Sequence, residues 1–157
     1  MASVYLCRWK MSKYDNDCKK VTEELQKRIK DVTEANARFV LTAVKQLETT
    51  AKLLMTNTPT KPDVVYRHGH HPSIEGEAPA VDTGRLRASV THDVEQEGET
   101  VKGNVGSVLQ NPPYGAYLEF GTSKMKPRPW LSQAVIHDET LIHEMYHAIV
   151  GEAIGGK

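Results

Sequence analysis

Between Asp15 and Met55 the chain contains neither glycine nor proline, and this uninterrupted stretch limits the fold more than any other feature. Val21, Leu25, Ile29, Val32, Phe39, Ala43, Leu47 and Leu54 recur mostly three or four residues apart, which draws one apolar stripe along a helix. Forty residues of α-helix span about 60 Å. A helix that long outruns a domain of this size, so it must either break or lean on something else. A neighbouring subunit would supply the missing surface. Residues 1–14 (MASVYLCRWKMSKY) are mixed and aromatic. They read as an N-terminal arm or short strand, ahead of a single domain over 15–157.

The remaining chain has a different texture. Pro59, Pro62, Gly69, Pro72, Gly76 and Pro79 punctuate a stretch without periodicity, which predicts a long loop over 56–80. From Gly84 to Val108 the spacing of Ala88, Val90, Val94, Val101, Val105 and Val108 suggests strands turning at Gly98. Gly103 and Gly106 mark bulges or a tight approach. Tyr114 to Phe120 fits either a helical turn or a strand, ended by Gly121. From Trp130 to about Ala153, Leu131, Val135, Ile142, Met145 and Ile149 form the buried stripe of a last helix. The expected architecture is α+β: a long N-terminal helix, a small antiparallel sheet and a C-terminal helix packed across it.

Charge narrows the function classes. Twenty Lys and Arg balance twenty Asp and Glu, whereas a chain that lives by gripping phosphates usually carries a basic excess. The neutral total hides an asymmetry. Residues 1–30 hold eight basic and four acidic side chains, and residues 131–157 hold one basic and four acidic. This is either surface scatter or the mark of a head-to-tail contact between copies. Val4-Tyr5-Leu6 is too short a run for a secretory signal, and no stretch approaches the roughly 20 apolar residues of a bilayer span. Cys7 and Cys18, without CxxC spacing, read as free thiols, with a disulfide unsupported.

His143-Glu144-Met145-Tyr146-His147 matches HExxH, which in zinc proteases sets two His one turn apart with Glu as general base. Taken as an active site it would make the chain a zinc-dependent metallopeptidase. A catalytic zinc needs a third protein ligand, yet the ten residues after His147 offer only Glu152 and the terminal carboxylate. At about 100° per residue the two His and Glu144 all point away from the face of Ile142, Met145 and Ile149. That describes a solvated flank or a subunit contact. His68-Gly69-His70-His71 reads as an exposed polar loop with incidental metal affinity. No catalytic residue, metal site or cofactor is expected.

Two segments carry a resemblance. The first is Ala78-Pro79-Ala80-Val81-Asp82-Thr83-Gly84-Arg85-Leu86-Arg87-Ala88-Ser89-Val90. The second is Tyr114-Gly115-Ala116-Tyr117-Leu118-Glu119-Phe120-Gly121-Thr122, followed by Met125-Lys126-Pro127-Arg128-Pro129-Trp130-Leu131. In this order they resemble the neck or minor tail-component (head–tail joining, tail completion) family of long-tailed bacteriophages. That family shows TG-x-L-x-x-S behind a proline, then Y-A-x-x-x-E-F-GT, then R-P-F-L opening a last helix. Trp130 replaces the usual Phe, and Gly115 stands just before the expected Ala116. The resemblance implies a non-enzymatic virion protein forming a homo-oligomeric ring at the head–tail junction. Its partners would be sister copies, connector proteins above and tail proteins below, with shape-tolerant contact to DNA in the channel and none with membrane.

Residue by residue, these segments read as architecture. Asp82 and Thr83 accept hydrogen bonds in a turn, Gly84 supplies permissive dihedrals, and Leu86 plugs the core beneath. Arg85 and Arg87 are candidates to meet Glu119, since Arg–carboxylate pairs are directional. Gly121 ends its element with positive φ and Thr122 caps the next one. Pro127-Arg128-Pro129 stiffly presents Trp130, and Tyr114, Tyr117 and Trp130 are of the type that anchors interfaces. Leu86, Leu118 and Phe120 are expected to pack within the chain. Arg87, Glu119, Arg128 and Trp130 serve either the fold or an interface.

Overall fold

The computed structural model describes residues 2–66 and 69–155, with side chains from Tyr14 onward. Helix α1 runs without a break from Ala2 to Asn57. It continues through residues 2–14, where a strand or arm was expected, because nothing in that segment interrupts helical propensity. The remaining elements are α2 (Arg85–Ser89), β1 (Val90–Glu97), β2 (Thr100–Ser107), α3 (Tyr114–Phe120) and α4 (Leu131–Ile154). The fold is α+β, with a long N-terminal helix, a two-stranded antiparallel sheet and a C-terminal helix.

α4 lies antiparallel along the C-terminal half of α1. Thr50 donates to Asp138 at 2.6 Å, and the rings of Phe39 and Tyr146 meet edge-on at 5.3 Å. Further down, Ala35 and Val150 are both buried. The main core gathers around the C-terminal end of α1: Ala51 and Met55 meet Leu86, Val90, Leu118, Trp130 and Ala134. Below this, all residues from Tyr14 to Asp31 are exposed. The apolar stripe continues there with no described residue over it.

The hairpin packs on the same half of α1. Val90 pairs with Ser107 and the register runs unbroken to Glu97 opposite Thr100, so neither Gly103 nor Gly106 forms a bulge. Close approach is what Gly103 provides. A Cβ there would stand 2.5 Å from Val44 Cγ1 and 2.7 Å from Val40 Cγ1, so only glycine lets β2 lie on the helix. Glu48 accepts hydrogen bonds from Lys52 on its own helix and from His92 on β1, tying sheet to helix. Strand character begins only at Val90. Residues 85–89 close instead into α2, with Ala88 N–H bonded to Gly84 O at 2.9 Å.

The long loop is pinned, although it has no regular structure. Lys61 N–H donates to Pro72 O at 2.8 Å, and Thr58 Oγ1 to Ala78 O at 2.8 Å. Gln133 of α4 donates to Gly76 O at 2.6 Å, and Lys126 pairs with Glu75 at 2.8 Å. Pro72, Ser73 and Ala78 are buried. The loop therefore buttresses the start of α4.

Candidate functional site

α4 begins at Leu131 behind Trp130, a residue with no side-chain acceptor for the free N–H groups of the first turn. Those groups need a partner from elsewhere. Glu119, at the end of α3, supplies it. One carboxylate oxygen accepts from Trp130 N–H at 2.8 Å and Leu131 N–H at 3.0 Å. The other accepts from Ser132 N–H at 2.9 Å and from the Ser132 hydroxyl. Burial pushes the Glu119 carboxyl up, but the Ser132 hydroxyl and the N–H groups of Leu131, Trp130 and Ser132 outweigh it. The group is held below its ordinary range.

The chain between α3 and α4 is folded tightly enough to allow this. Gly121 has φ 75°, and a Cβ would meet Met125 O at 2.8 Å and Pro127 N at 2.9 Å. Arg128 N–H donates back to Leu118 O at 2.7 Å, and the Trp130 indole N–H donates to Gly115 O at 3.0 Å. Trp130 is buried in the core. The whole second segment is one clasp, locking α3 to α4.

The clasp leaves one face of α3 outward. Gly115 and Leu118 are buried, while Tyr114, Tyr117 and Phe120, each three residues on, are exposed. Phe120 is 79% accessible. Beside Tyr114 opens a cavity of about 240 Å³ with an apolar floor of Met55, Val81, Leu86, Leu109 and Leu118. Asp82, Arg85 and Arg87 stand at its rim. It has the size and lining to take one apolar side chain, and no nucleophile–base pair lines it.

Residues 13–121 match the protein family described as "Bacteriophage HK97-gp10, putative tail-component". The chain belongs to the HK97-gp10-like family. The match spans both glycine-centred turns and stops at Gly121, so α4 and the second half of the clasp lie beyond it. Comparison with curated proteins and with solved structures found no match. A phage tail component is a virion structural protein, and among the described residues no helix is long and apolar enough to cross a membrane.

Several residues of this family member stand apart from where their chemistry suggested. Arg85 and Arg87 do not meet Glu119, whose oxygens are already taken by α4. Arg87 Nη1 donates instead to Thr56 Oγ1 at 3.1 Å, and Arg85 is exposed. Trp130 is a core residue with a satisfied indole, not a surface anchor. Phe120 is the reverse, exposed where packing was expected, because it lies on the outward face of α3, three residues on from Tyr117 and away from buried Gly115 and Leu118. Leu86 and Leu118 are buried. Gly84 has φ 75°, with Asp82 and Thr83 exposed before it. Thr122 Oγ1 accepts from Lys124 N–H at 3.3 Å, Pro127 backs the Gly121 turn, and half-buried Pro129 leads into α4. Arg128 is half-buried, with no acceptor for its Nε among the described residues.

The HExxH residues lie on the outer flank of α4. His143, Glu144 and His147 are all exposed, the two imidazoles meeting edge-on at 4.6 Å between centroids. Among the described residues no group of three or more His, Cys, Asp or Glu could hold a metal ion. A peptidase zinc would need that third donor, so the metallopeptidase reading gains no support. In the HGHH segment, His68 lies outside the described residues, while His71 Nδ1 sits 3.1 Å from Val64 O within its own loop. Cys18 is exposed and free, and the Cys7 side chain lies outside the described residues.

Sequence reasoning missed the role of Glu119. The signal was a helix opening on Trp130 without a local Ser, Thr, Asp or Asn cap, which has to borrow one. It also missed Asp138, buried between α1 and α4 with Thr50 and His137 as partners. A carboxylate on a buried helix face has no periodic signature that distinguishes it from a solvated one.

Proposed function

We propose that this family member is a ring-forming subunit at the phage head–tail junction. It would dock on connector proteins above and tail proteins below, with DNA passing through the lumen. The observation that supports this most is the aromatic face of α3. Its segment uses Glu119, Gly121 and Trp130 to fix α3 in place, and that fixed platform turns Tyr114, Tyr117 and Phe120 to solvent. Exposed aromatics on a rigid element are the usual anchors of protein interfaces. Arg85, Arg87 and the cavity beside them extend the same surface. The work is binding, and contact with DNA in the channel is shape-tolerant, in keeping with a neutral chain.

The test is morphological. Virions assembled without this protein, or with Tyr117→Ala and Phe120→Ala together, are expected to accumulate DNA-filled heads beside unattached tails in electron micrographs. Joined, infectious particles at wild-type yield would refute the junction role.

A further inference from the structure

β1 and β2 make a sheet of only two strands, so each strand has one outer edge. His92 and Gly103 turn towards α1. By alternation Thr91, Asp93, Glu95 and Glu97 of β1 share the outer face with Thr100, Lys102 and Asn104 of β2, and all seven are exposed. Among the described residues no backbone hydrogen bond from outside the hairpin reaches either strand, and α4 packs on α1 rather than on the sheet. Each strand runs for eight residues without a proline or a bulge. Each edge therefore offers an unguarded row of N–H and C=O groups. Unlike an apolar face, such a row specifies its cover, because another strand matches its alternation of donors and acceptors.

Charge selects which strand. β1 carries Asp93, Glu95 and Glu97 on its outer face, whereas β2 carries Lys102 and no acid. Within the chain Lys102 stands opposite Glu95 and reaches Glu97 at 3.7 Å, so one lysine answers three carboxylates. Pairing β1 with β1 of another copy would crowd six carboxylates onto one face, and like charges across strands destabilise. Pairing β2 with β2 would set lysine beside lysine and leave both acidic edges open. Pairing β1 with β2 brings the acidic strand a second lysine.

We infer that β1 of one copy adds to β2 of the next, joining the hairpins into one continuous antiparallel sheet. The contact is heterologous, since it uses two different edges, and repeated contacts of that kind close into a ring or run on as a filament. The widths agree. Two strands advance a sheet by about 9.5 Å, and neighbouring helices pack about 8–10 Å apart, so each α1 fits behind its own pair of strands. The inference rests on the self-assembly reading proposed for this family member and gives it a surface.

The test is sedimentation of the full chain with Lys102→Glu, and with Lys102→Glu combined with Glu95→Lys. Both sites are exposed, and circular dichroism checks that the fold is kept. Lys102→Glu is expected to self-associate about tenfold more weakly than the wild type, since it sets a fourth acid beside the acidic edge. The double variant restores opposite charges to facing strands and is expected to recover the association. In a Cys7→Ser, Cys18→Ser background, chains with Thr91→Cys and chains with Asn104→Cys each carry one thiol, on β1 and on β2. A short bis-maleimide should join the two kinds in a mixture far more efficiently than it joins either kind to itself. If the wild type assembles but Lys102→Glu assembles equally well, or the mixture gives no covalent heterodimer, the edge pairing is overturned and the ring reading stands. If the wild type stays monomeric even with head and tail proteins present, both fall.

Discussion

The two halves of α1 share one helix and one apolar stripe, yet they live in different surroundings. In the C-terminal half, Ala43, Val44, Thr50, Ala51 and Met55 are buried under α4, the hairpin and the loop. In the N-terminal half, Val21, Leu25 and Ile29 repeat the pattern and are more than half accessible, with no described residue packed above them. Periodicity reports that a face is meant to be covered. It does not say by what. The uncovered half also lacks the features that stabilise a lone helix well, relying on exposed i,i+4 pairs such as Lys19–Asp15 at 3.5 Å and Arg28–Glu24 at 3.4 Å. Such pairs contribute only about 0.3–0.5 kcal/mol each.

The largest effect separating the halves is expected at Met55, among the most deeply buried side chains. Met55→Ala removes apolar contacts with Leu86, Leu118 and their neighbours and leaves a cavity beside the existing one. The expected loss is about 2–5 kcal/mol, read as a fall in the denaturant midpoint with unchanged slope. A change below about 1 kcal/mol would mean that the covered half is no better packed than the free one, and the contrast would fail.

Much of this layout was legible in the residues. The three-and-four spacing of α1 and the stripe of α4 specify helices whatever their partners are, and Gly98 does mark the turn between β1 and β2. Gly103 was readable as a bulge or a close approach, since a glycine inside a strand needs a reason, and the contact with Val40 and Val44 decides between them. What escaped were the long-range polar contacts. Glu119 and Ser132 lie 13 residues apart, and Thr50 and Asp138 are 88 apart; local sequence cannot pair them. Phe120 was misjudged because hydrophobicity predicts burial only on average, and which face of a seven-residue helix turns inward is set by long-range packing.

A smaller effect tests what holds the cover in place. Glu119 anchors the first turn of α4, and α4 is what shields the C-terminal half of α1. Glu119→Gln keeps the size but weakens four charge-assisted hydrogen bonds, with an expected cost of about 1–2 kcal/mol, the range of a lost helix cap. The pH dependence has a definite sign. The folded carboxyl titrates below its ordinary value of 4.5, so the native state favours the ionised form. Its contribution is therefore complete above the unfolded value and disappears as pH falls through the lowered folded one. The stability gap between wild type and Glu119→Gln should be full at neutral pH and should close on acidification. A gap independent of pH would show that the carboxylate charge plays no part in the cap.

The smallest effect is expected in the free half, and its smallness is itself informative. Leu25→Ala truncates a leucine on the same stripe that elsewhere forms the core, so by sequence alone it should resemble a core truncation. In the isolated chain Leu25 is more than half accessible. Truncating it removes little buried area, and alanine is the better helix former. Stability of the dilute monomer should therefore shift by no more than about 0.5 kcal/mol in either direction. A loss of about 2 kcal/mol or more, the size of a core truncation, at concentrations where only monomer sediments would mean that the N-terminal half folds back and is covered within its own chain. The same loss appearing only as concentration rises is what a cover supplied by another molecule requires, since a partner that binds the folded state stabilises it by mass action.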